Sequence, residues 1–264
     1  MAGLFPPSLD AVVVADNPEE IGGSALATSA ILAAEKIEPM LSMVVRDRNR
    51  IALESDTLGA AALGVRNILC LSGQHQAIGL CPQAAGPSDI DSIQLTQAVT
   101  ALSRKGPDFQ GRPLDAALDL FVGAVAHPYL RPMELNLIRL KKKVAAGAAF
   151  LLTQAVFDLA AFTEWMEAVR KAGLDRQTAI IASVLPLTSL EQARRLQERG
   201  TYGPIPADVL DRLSKATDVA AAGLALCVET AKRVKAIPGV RGIHILCGGS
   251  EALAARLIKE AGLA

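Results

Sequence analysis

The chain predicts an α/β fold built on parallel strands, and three observations carry that expectation. Short apolar runs alternate with helix-length segments from Ala11 to the C-terminus. Several of the runs are apolar throughout, as strands are when helices cover both faces of the sheet. Two runs also end abruptly in polar turns. Residues 40–45 end in Arg46-Asp47-Arg48-Asn49-Arg50, and residues 67–72 in Gly73-Gln74-His75-Gln76. Buried parallel strands give this pattern where their carboxyl ends open into loops, and ligand sites of such folds gather there. An enzyme, or the descendant of one, is the expectation.

The strand candidates are residues 11–15, 39–45, 67–72, 118–126, 149–154, 179–185 and 242–247. Helical patterns fill 19–36, 48–64, 90–103, 134–146, 159–171 and 190–199, with a longer helical insertion at 207–236 and a last helix at 251–261. Strict alternation implies right-handed crossovers between parallel strands. The segments Leu63-Gly64-Val65, Ala146-Gly147-Ala148 and Pro238-Gly239-Val240 precede strands and read as helix-ending turns with Gly at the stop. No linker or low-complexity tract divides the 264 residues, so a single domain over 1–264 is expected. Seven strands fall one short of the closed (β/α)8 TIM barrel. The shortfall lies at the N-terminus, where eight residues containing Pro6 and Pro7 leave no room for a strand and helix. The expected fold is therefore a (β/α)8 barrel without its first βα unit. A doubly wound open sheet also accommodates seven strands.

Composition narrows the function. The chain is 51% hydrophobic but 3% aromatic, which suits helices packed closely on a parallel sheet better than an all-β fold. Its 27 basic and 27 acidic residues balance, so no net field favours nucleic acid or an anionic membrane. Lys141-Lys142-Lys143 is the one basic run that could act as a patch. Cys70, Cys81, Cys227 and Cys247 form no C-x-x-C pair, and Cys70, Cys227 and Cys247 sit in apolar runs as small core hydrophobes. With no signal peptide or membrane span in the pattern, a soluble protein of the reducing cytoplasm is expected.

Several segments in fixed order resemble the methylenetetrahydrofolate reductase family. They are Val13-Val14-Ala15-Asp16-Asn17-Pro18, Arg46-Asp47-Arg48-Asn49, Leu58-Gly59 to Gly73, Ser88-Asp89-Ile90-Asp91-Ser92-Ile93-Gln94-Leu95, Lys141 to Ala148, and Thr153-Gln154-Ala155-Val156-Phe157-Asp158. The variants Leu71-Ser72-Gly73-Gln74-His75-Gln76 and Asp89-Ile90-Asp91-Ser92 are similar to short forms from anaerobic one-carbon metabolism. The resemblance implies a (β/α)8 flavoprotein that holds FAD at the strand ends and reduces 5,10-methylenetetrahydrofolate to 5-methyltetrahydrofolate. NAD(P)H or an electron-transfer partner subunit would supply the electrons.

The same resemblance implies residue roles, each with a structural alternative. Lys143 falls where the family places a lysine near the FAD phosphates; a charge run is otherwise a solvated helix face. Gln154 falls on the glutamine that bonds the pterin, and an amide suits a mixed donor–acceptor edge; a satisfied strand-end amide is the alternative. Arg46, Asp91, Ser92, His127 and Asn136 would line the cofactor, with Asn136 in the ribityl or ribose region. Arg46, Asp47 and Arg48 could instead form an ion network that caps the next helix. Ser72 and Gly73 fall where backbone approaches the flavin, and Gly permits a close approach. Leu190 stands where an aromatic commonly stacks on substrate. Gly248-Gly249-Ser250 reads as a turn with Ser250 as N-cap, or as a phosphate cradle.

Departures from the family concern the chemistry itself. The family's glutamate on its first strand has no counterpart before Pro6. Gln74 stands in place of an aspartate that stabilises cationic folate, so the catalytic position keeps hydrogen bonding and loses charge. Ser72 and Ser250 each replace a common arginine. A start at an internal methionine explains the missing strand; a shortened paralogue explains that and Gln74 as well. Two functions follow: a flavin-dependent reductase, or a folate- or flavin-binding subunit of a one-carbon complex without redox activity. Unpaired edges beside residues 11–15 and 242–247 further predict an oligomer, a partner-bound state or poor solubility.

Overall fold

The structure, a computed structural model, describes residues 9–18, 21–79, 81–87 and 89–263. The Phe5-Pro6-Pro7 segment, Glu19 and Glu20 at the expected start of the first helix, and Ser88 lie outside the described residues. Two compact units are present. Among the described residues, the first comprises 9–125 with 142–149, and the second 126–141 with 150–263.

In the first unit β1 (Val12–Val14), β2 (Pro39–Val44), β3 (Asn67–Leu71) and β4 (Phe121–Ala126) pair in parallel and in chain order. Between them run α1 (Ala25–Ala34), α2 (Arg50–Ala62) and α3 (Ser92–Ser103). Every residue of β2 is buried, which accounts for its unbroken apolar run around Ser42. α4 (Met133–Ala145) follows β4, with its residues up to Lys141 in the second unit.

The second unit pairs β5 (Phe150–Ala155), β6 (Ala179–Val184) and β7 (Val240–Ile245), again parallel and in chain order. Its helices are α5 (Leu159–Lys171), α6 (Leu190–Arg199), α7 (Ala207–Ser214), α8 (Val219–Lys235) and α9 (Glu251–Ala261). α5 buries Phe162, Trp165, Met166 and Val169, an i, i+3, i+4, i+7 stripe. Burying each such side chain is worth about 1.5–3 kcal/mol. α8 and α9 close over Val184, Ile243 and Ile245 through Leu224, Cys227, Ala231 and Leu257. Neither unit contains the reversal of strand order that defines a doubly wound sheet. The α/β class with parallel strands is as the sequence predicts.

Most boundaries shift by one or two residues from expectation, and four of the differences have a local reason. α1 starts at Ala25, because Ser24 caps it by accepting the Ala27 N–H at 3.4 Å and Gly22-Gly23 stay outside. The helical insertion at 207–236 is two helices; Asp218 caps α8 by accepting the Ala221 N–H and breaks the run. β4 begins at Phe121 because the Leu118 N–H bonds the Leu102 carbonyl instead of a strand. β7 lies two residues earlier than predicted, so Cys247 falls in the following loop and is only half-buried. Gly64, Gly147 and Gly239 all hold positive φ at the predicted helix-ending turns.

Candidate active site

The first polar turn, after β2, is consumed by its own architecture. Arg46 makes a two-point contact with Asp47, Nε to Oδ1 at 2.8 Å and Nη2 to Oδ2 at 2.6 Å. That hydrogen bond raises the Arg46 pKa and lowers that of Asp47. Arg48 sits between buried Asp16, 2.6 Å from Nη1, and Asp56, 3.0 Å from Nε. Burial works against the Arg48 charge, but the Asp16 hydrogen bond and the surrounding carboxylates outweigh it and raise its pKa. Arg50 holds Asp89 through its guanidinium at 2.7 Å and its backbone N–H at 2.8 Å, and this pairing lowers the Asp89 pKa. The expected ion network is present, with one correction: α2 is capped by Asn49, which accepts the Ala52 N–H at 3.1 Å, and not by Asp47.

The second polar turn, after β3, opens a cavity of about 470 Å³. Arg46, Ser72, Gly73, Gln74 and Asp91 line it, five of the residues singled out in the sequence. His75, Gln76, Asp89 and Gln94 complete the polar wall. Gly73 has φ +74°, and a Cβ there would fall 2.6 Å from Val44 Cγ1 and 3.0 Å from Arg46 Cβ. The glycine therefore lets the turn lie against β2, which is a structural demand in its own right. Gln76 pins the turn by donating to the Arg46 carbonyl at 2.5 Å, and the hydroxyls of Ser72 and Ser92 lie 2.8 Å apart. Asp91 forms a full capping box with Gln94 at the start of α3, so its Oδ1 already accepts two N–H groups. Gln74 is exposed.

These contents decide what the cavity can hold. Its size suits a flat heterocycle, and its polar groups are amides, hydroxyls and backbone. Arg46 is the one guanidinium or ammonium among its lining residues, and Asp47 already engages it. Asp89 and Asp91 add carboxylates. A flavin or pterin ring fits this lining; a diphosphate does not. Lys143 does not line the cavity. It is 7% exposed, with Nζ donating to the Val125 carbonyl at 2.6 Å, so a solvated helix face is ruled out. Behind the site, burial pushes the Cys70 thiol up to about 12, which keeps it inert. Among the described residues no group of three His, Cys, Asp or Glu is placed to hold a metal ion.

The remaining expected residues belong to the second unit. Gln154 donates from Nε2 to the Thr201 carbonyl at 2.8 Å. Buried Asn136 donates from Nδ2 to the carbonyls of His127 at 2.9 Å and Leu130 at 3.2 Å, stapling the turn that leads into α4. Leu190 opens α6 and packs on the core of Leu187, Ala193, Leu196 and Leu213. Ser250 holds the N-cap position of α9 without a side-chain capping bond. No helix among the described residues is long and apolar enough to cross a membrane.

Several polar groups of consequence were not singled out in the sequence. Glu54, buried in α2, accepts the Phe109 N–H at 3.3 Å and the Gln110 amide at 2.5 Å. The Tyr129 hydroxyl donates to the Ala155 carbonyl at 3.3 Å, and burial pushes its pKa up, with Asp158 adding to the effect. Across β5, β6 and β7, the Ser183 hydroxyl donates to the Thr153 carbonyl at 2.6 Å and lies 2.9 Å from His244 Nδ1. Its one proton being committed, Ser183 accepts from His244, which fixes the Nδ1–H tautomer. Burial lowers the His244 pKa to about 4. A lone histidine inside the apolar strand Val240–Ile245 was the available signal.

Comparison with known proteins gives the geometry a lineage. The chain is 23% identical over 256 residues to a probable methylenetetrahydrofolate reductase (NADPH) of Caenorhabditis elegans, covering 94% of this chain and 36% of that protein. It is 30% identical over 134 residues to methylenetetrahydrofolate reductase 2 of Saccharomyces cerevisiae, covering 47% and 22% respectively. The 5,10-methylenetetrahydrofolate reductase of Escherichia coli is 28% identical over 146 residues, covering 54% and 42%. In each case the matched segment spans less than half of the relative. An uncharacterized Clostridium thermocellum protein that binds two copies of 5-methyl-5,6,7,8-tetrahydrofolic acid shares the fold, with a TM-score of 0.59, 16% identity and coverage of 92% of this chain and 78% of its own. The methylenetetrahydrofolate reductase family model matches residues 12–262, and the chain belongs to that family.

Proposed function

We propose that the chain serves the reduction of 5,10-methylenetetrahydrofolate to 5-methyltetrahydrofolate in one-carbon metabolism. The observation that carries this reading is the cavity at the carboxyl end of β3, where Ser72, Gly73 and Gln74 present backbone and amide groups to a space sized for a flat heterocycle. FAD, when bound, supplies the hydride carrier, with NAD(P)H or a partner subunit as electron source. Gly73 and Gln74 would border the ring, and Gln154 remains the family-matched position for the pterin. Ser92, through Ser72, holds the turn at its working height. The lining of this cavity does not suit a diphosphate, for which Lys143 remains the family-matched position, as Asn136 does for the ribityl or ribose region and His127 for the flavin.

A second reading is favoured by one observation. Each carboxylate that lines the cavity is committed: Asp89 to Arg50, and Asp91 to the α3 cap. With Gln74 neutral, the carboxylate that the family dedicates to a cationic folate is missing, and Asp89 and Asp91 serve Arg50 and the helix start, so a folate-binding subunit without turnover is the alternative. Anaerobic titration of the purified chain with FAD, followed by 5-methyltetrahydrofolate, separates the two. Bleaching of bound flavin by the folate supports reduction. Folate binding with no flavin bound supports the second reading, and binding of neither overturns both.

A further inference from the structure

We infer that α1 and α2 form a two-fold contact with a second copy of this chain, α1 lying antiparallel to its counterpart about Ile31. The inference is independent of the cavity.

Three properties of these helices point the same way. The first is their outward faces. On α1 the exposed positions are Ala27, Thr28, Ile31 and Ala34, and on α2 beyond Arg50 they are Ile51, Ser55, Leu58 and Ala62. None is charged, and the whole of α1 lacks a charged residue. Ile31 is 53% exposed, Ile51 69%, Leu58 42% and Leu63 55%. Apolar surface left open in this way is a contact site or a liability. By contrast, the outward face of α6 in the second unit carries Glu191, Arg194, Arg195, Glu198 and Arg199.

The second is charge logic at a symmetry axis. In an isologous contact every group near the axis meets its own copy, so a like charge there repels itself. A face with no charges is the one that tolerates a second copy; a heterologous partner would impose no such rule. Ile31 stands between Ala27 and Ala34, so two such helices can approach closely with one isoleucine on each side of the axis.

The third is the helix dipole. Neither α1 nor α2 has an acidic residue in its first turn or a basic one in its last. An antiparallel neighbour brings the opposite dipole end alongside and supplies that missing compensation. The two helices are adjacent, with Leu26 Cδ2 3.8 Å from the point a Cβ would occupy on Gly59. Helix dimensions give the pair a projected face of roughly 350 Å² and accessible surface on the order of 500–700 Å². Doubled by symmetry, that reaches the roughly 1,000 Å² a specific interface needs.

Sedimentation velocity on the full chain from 1 to 100 µM tests the inference, with circular dichroism to confirm that variants fold. The wild type is expected to sediment as a dimer. Ile31→Glu and Leu58→Glu, both at exposed positions, are expected to sediment as monomers. An equimolar mixture of Ile31→Glu and Ile31→Lys chains is expected to recover dimer, because opposite charges then face each other across the axis. A monomeric wild type overturns the inference. So does a dimer that both glutamate variants leave intact, or a mixture that stays monomeric. Should Ile31→Glu misfold, Leu58→Glu decides alone.

Discussion

Two turns of the first unit look alike in sequence and differ in what they leave free. After β2, all five polar residues from Arg46 to Arg50 are engaged in pairing or capping, so that turn is architecture. After β3, Ser72 and Gln76 anchor the ends of the turn, His75 accepts the Ala77 N–H at 3.2 Å, and the turn as a whole lines the cavity. A dense run of charges is therefore the poorer guide to a ligand site. Charges partly removed from water need partners, and partners placed nearby by the chain consume them. Glycine and neutral amides carry no such obligation.

The sharpest test of the closed turn is Asp16→Ala. Asp16 is 5% exposed and accepts from both Arg48 and the Val44 N–H, at 2.6 Å and 3.1 Å. Removing it strands a part-buried guanidinium and a strand-end N–H, a loss of about 3 kcal/mol, the low end for a broken buried pair because Asp56 still holds Arg48. Guanidinium denaturation is the measurement. A loss under about 1 kcal/mol would mean the turn is not locked by this pair.

Acid separates closed clusters from each other. With its pKa lowered to about 4 from 6.5, His244 stays neutral in the fold while the unfolded chain takes up a proton. Stability is then full above pH 6.5 and declines as the pH falls toward 4, by up to roughly 3 kcal/mol at 1.36 kcal/mol per pH unit. His244 keeps some exposed surface, so that figure is a ceiling. Asp47 and Asp89 are depressed below 3.8, so their support persists above that pH and is lost only below it. Stability measured at pH 7, 5 and 4 should show the histidine phase first, and His244→Gln should remove it. A flat profile down to pH 4 sinks the assignment.

The sequence was most legible where a local signal and the tertiary structure agree. α5, α6 and α9 fall on their predicted bounds, with Asp158 and Ser189 capping two starts and left-handed Gly200 and Gly262 at two stops. The break between α7 and α8 was not legible, because Lys215, Ala216 and Thr217 are compatible with a continuing helix and Asp218 acts only once its side chain turns back. At the site, Gly73 was readable because a glycine ending a strand has few other purposes. Lys143 was not: sequence gives its place on a helix, while the reach of its four-carbon stem to Val125 is a fact of packing. Asn136 and Leu190 follow the same rule, their roles being set by carbonyls and core residues brought from elsewhere in the chain.

Gly73→Ala tests the open turn. The added Cβ meets Val44 Cγ1 at 2.6 Å in a backbone region that alanine disfavours. The expected cost is on the order of 2 kcal/mol. Because the clash pushes the turn into the cavity, flavin and folate binding should weaken more than stability does. Equal binding in wild type and variant would place the ligand away from this turn.

The smallest effect on stability is the most informative about function. Gln74 is exposed, so Gln74→Asp should change folding free energy by no more than about 1 kcal/mol, the worth of one hydrogen bond. It puts a carboxylate at the family's aspartate position, beside a cavity where Asp89 pairs with Arg50 and Asp91 caps α3. If the turn after β3 is the reacting site, a charge aimed at a developing cation should raise the rate of flavin reduction by 5-methyltetrahydrofolate at least tenfold. Stopped-flow absorbance on both chains reads that rate directly. Reduction at an unchanged rate would mean that the open turn binds without stabilising charge, and the difference between the two turns would then be one of packing alone.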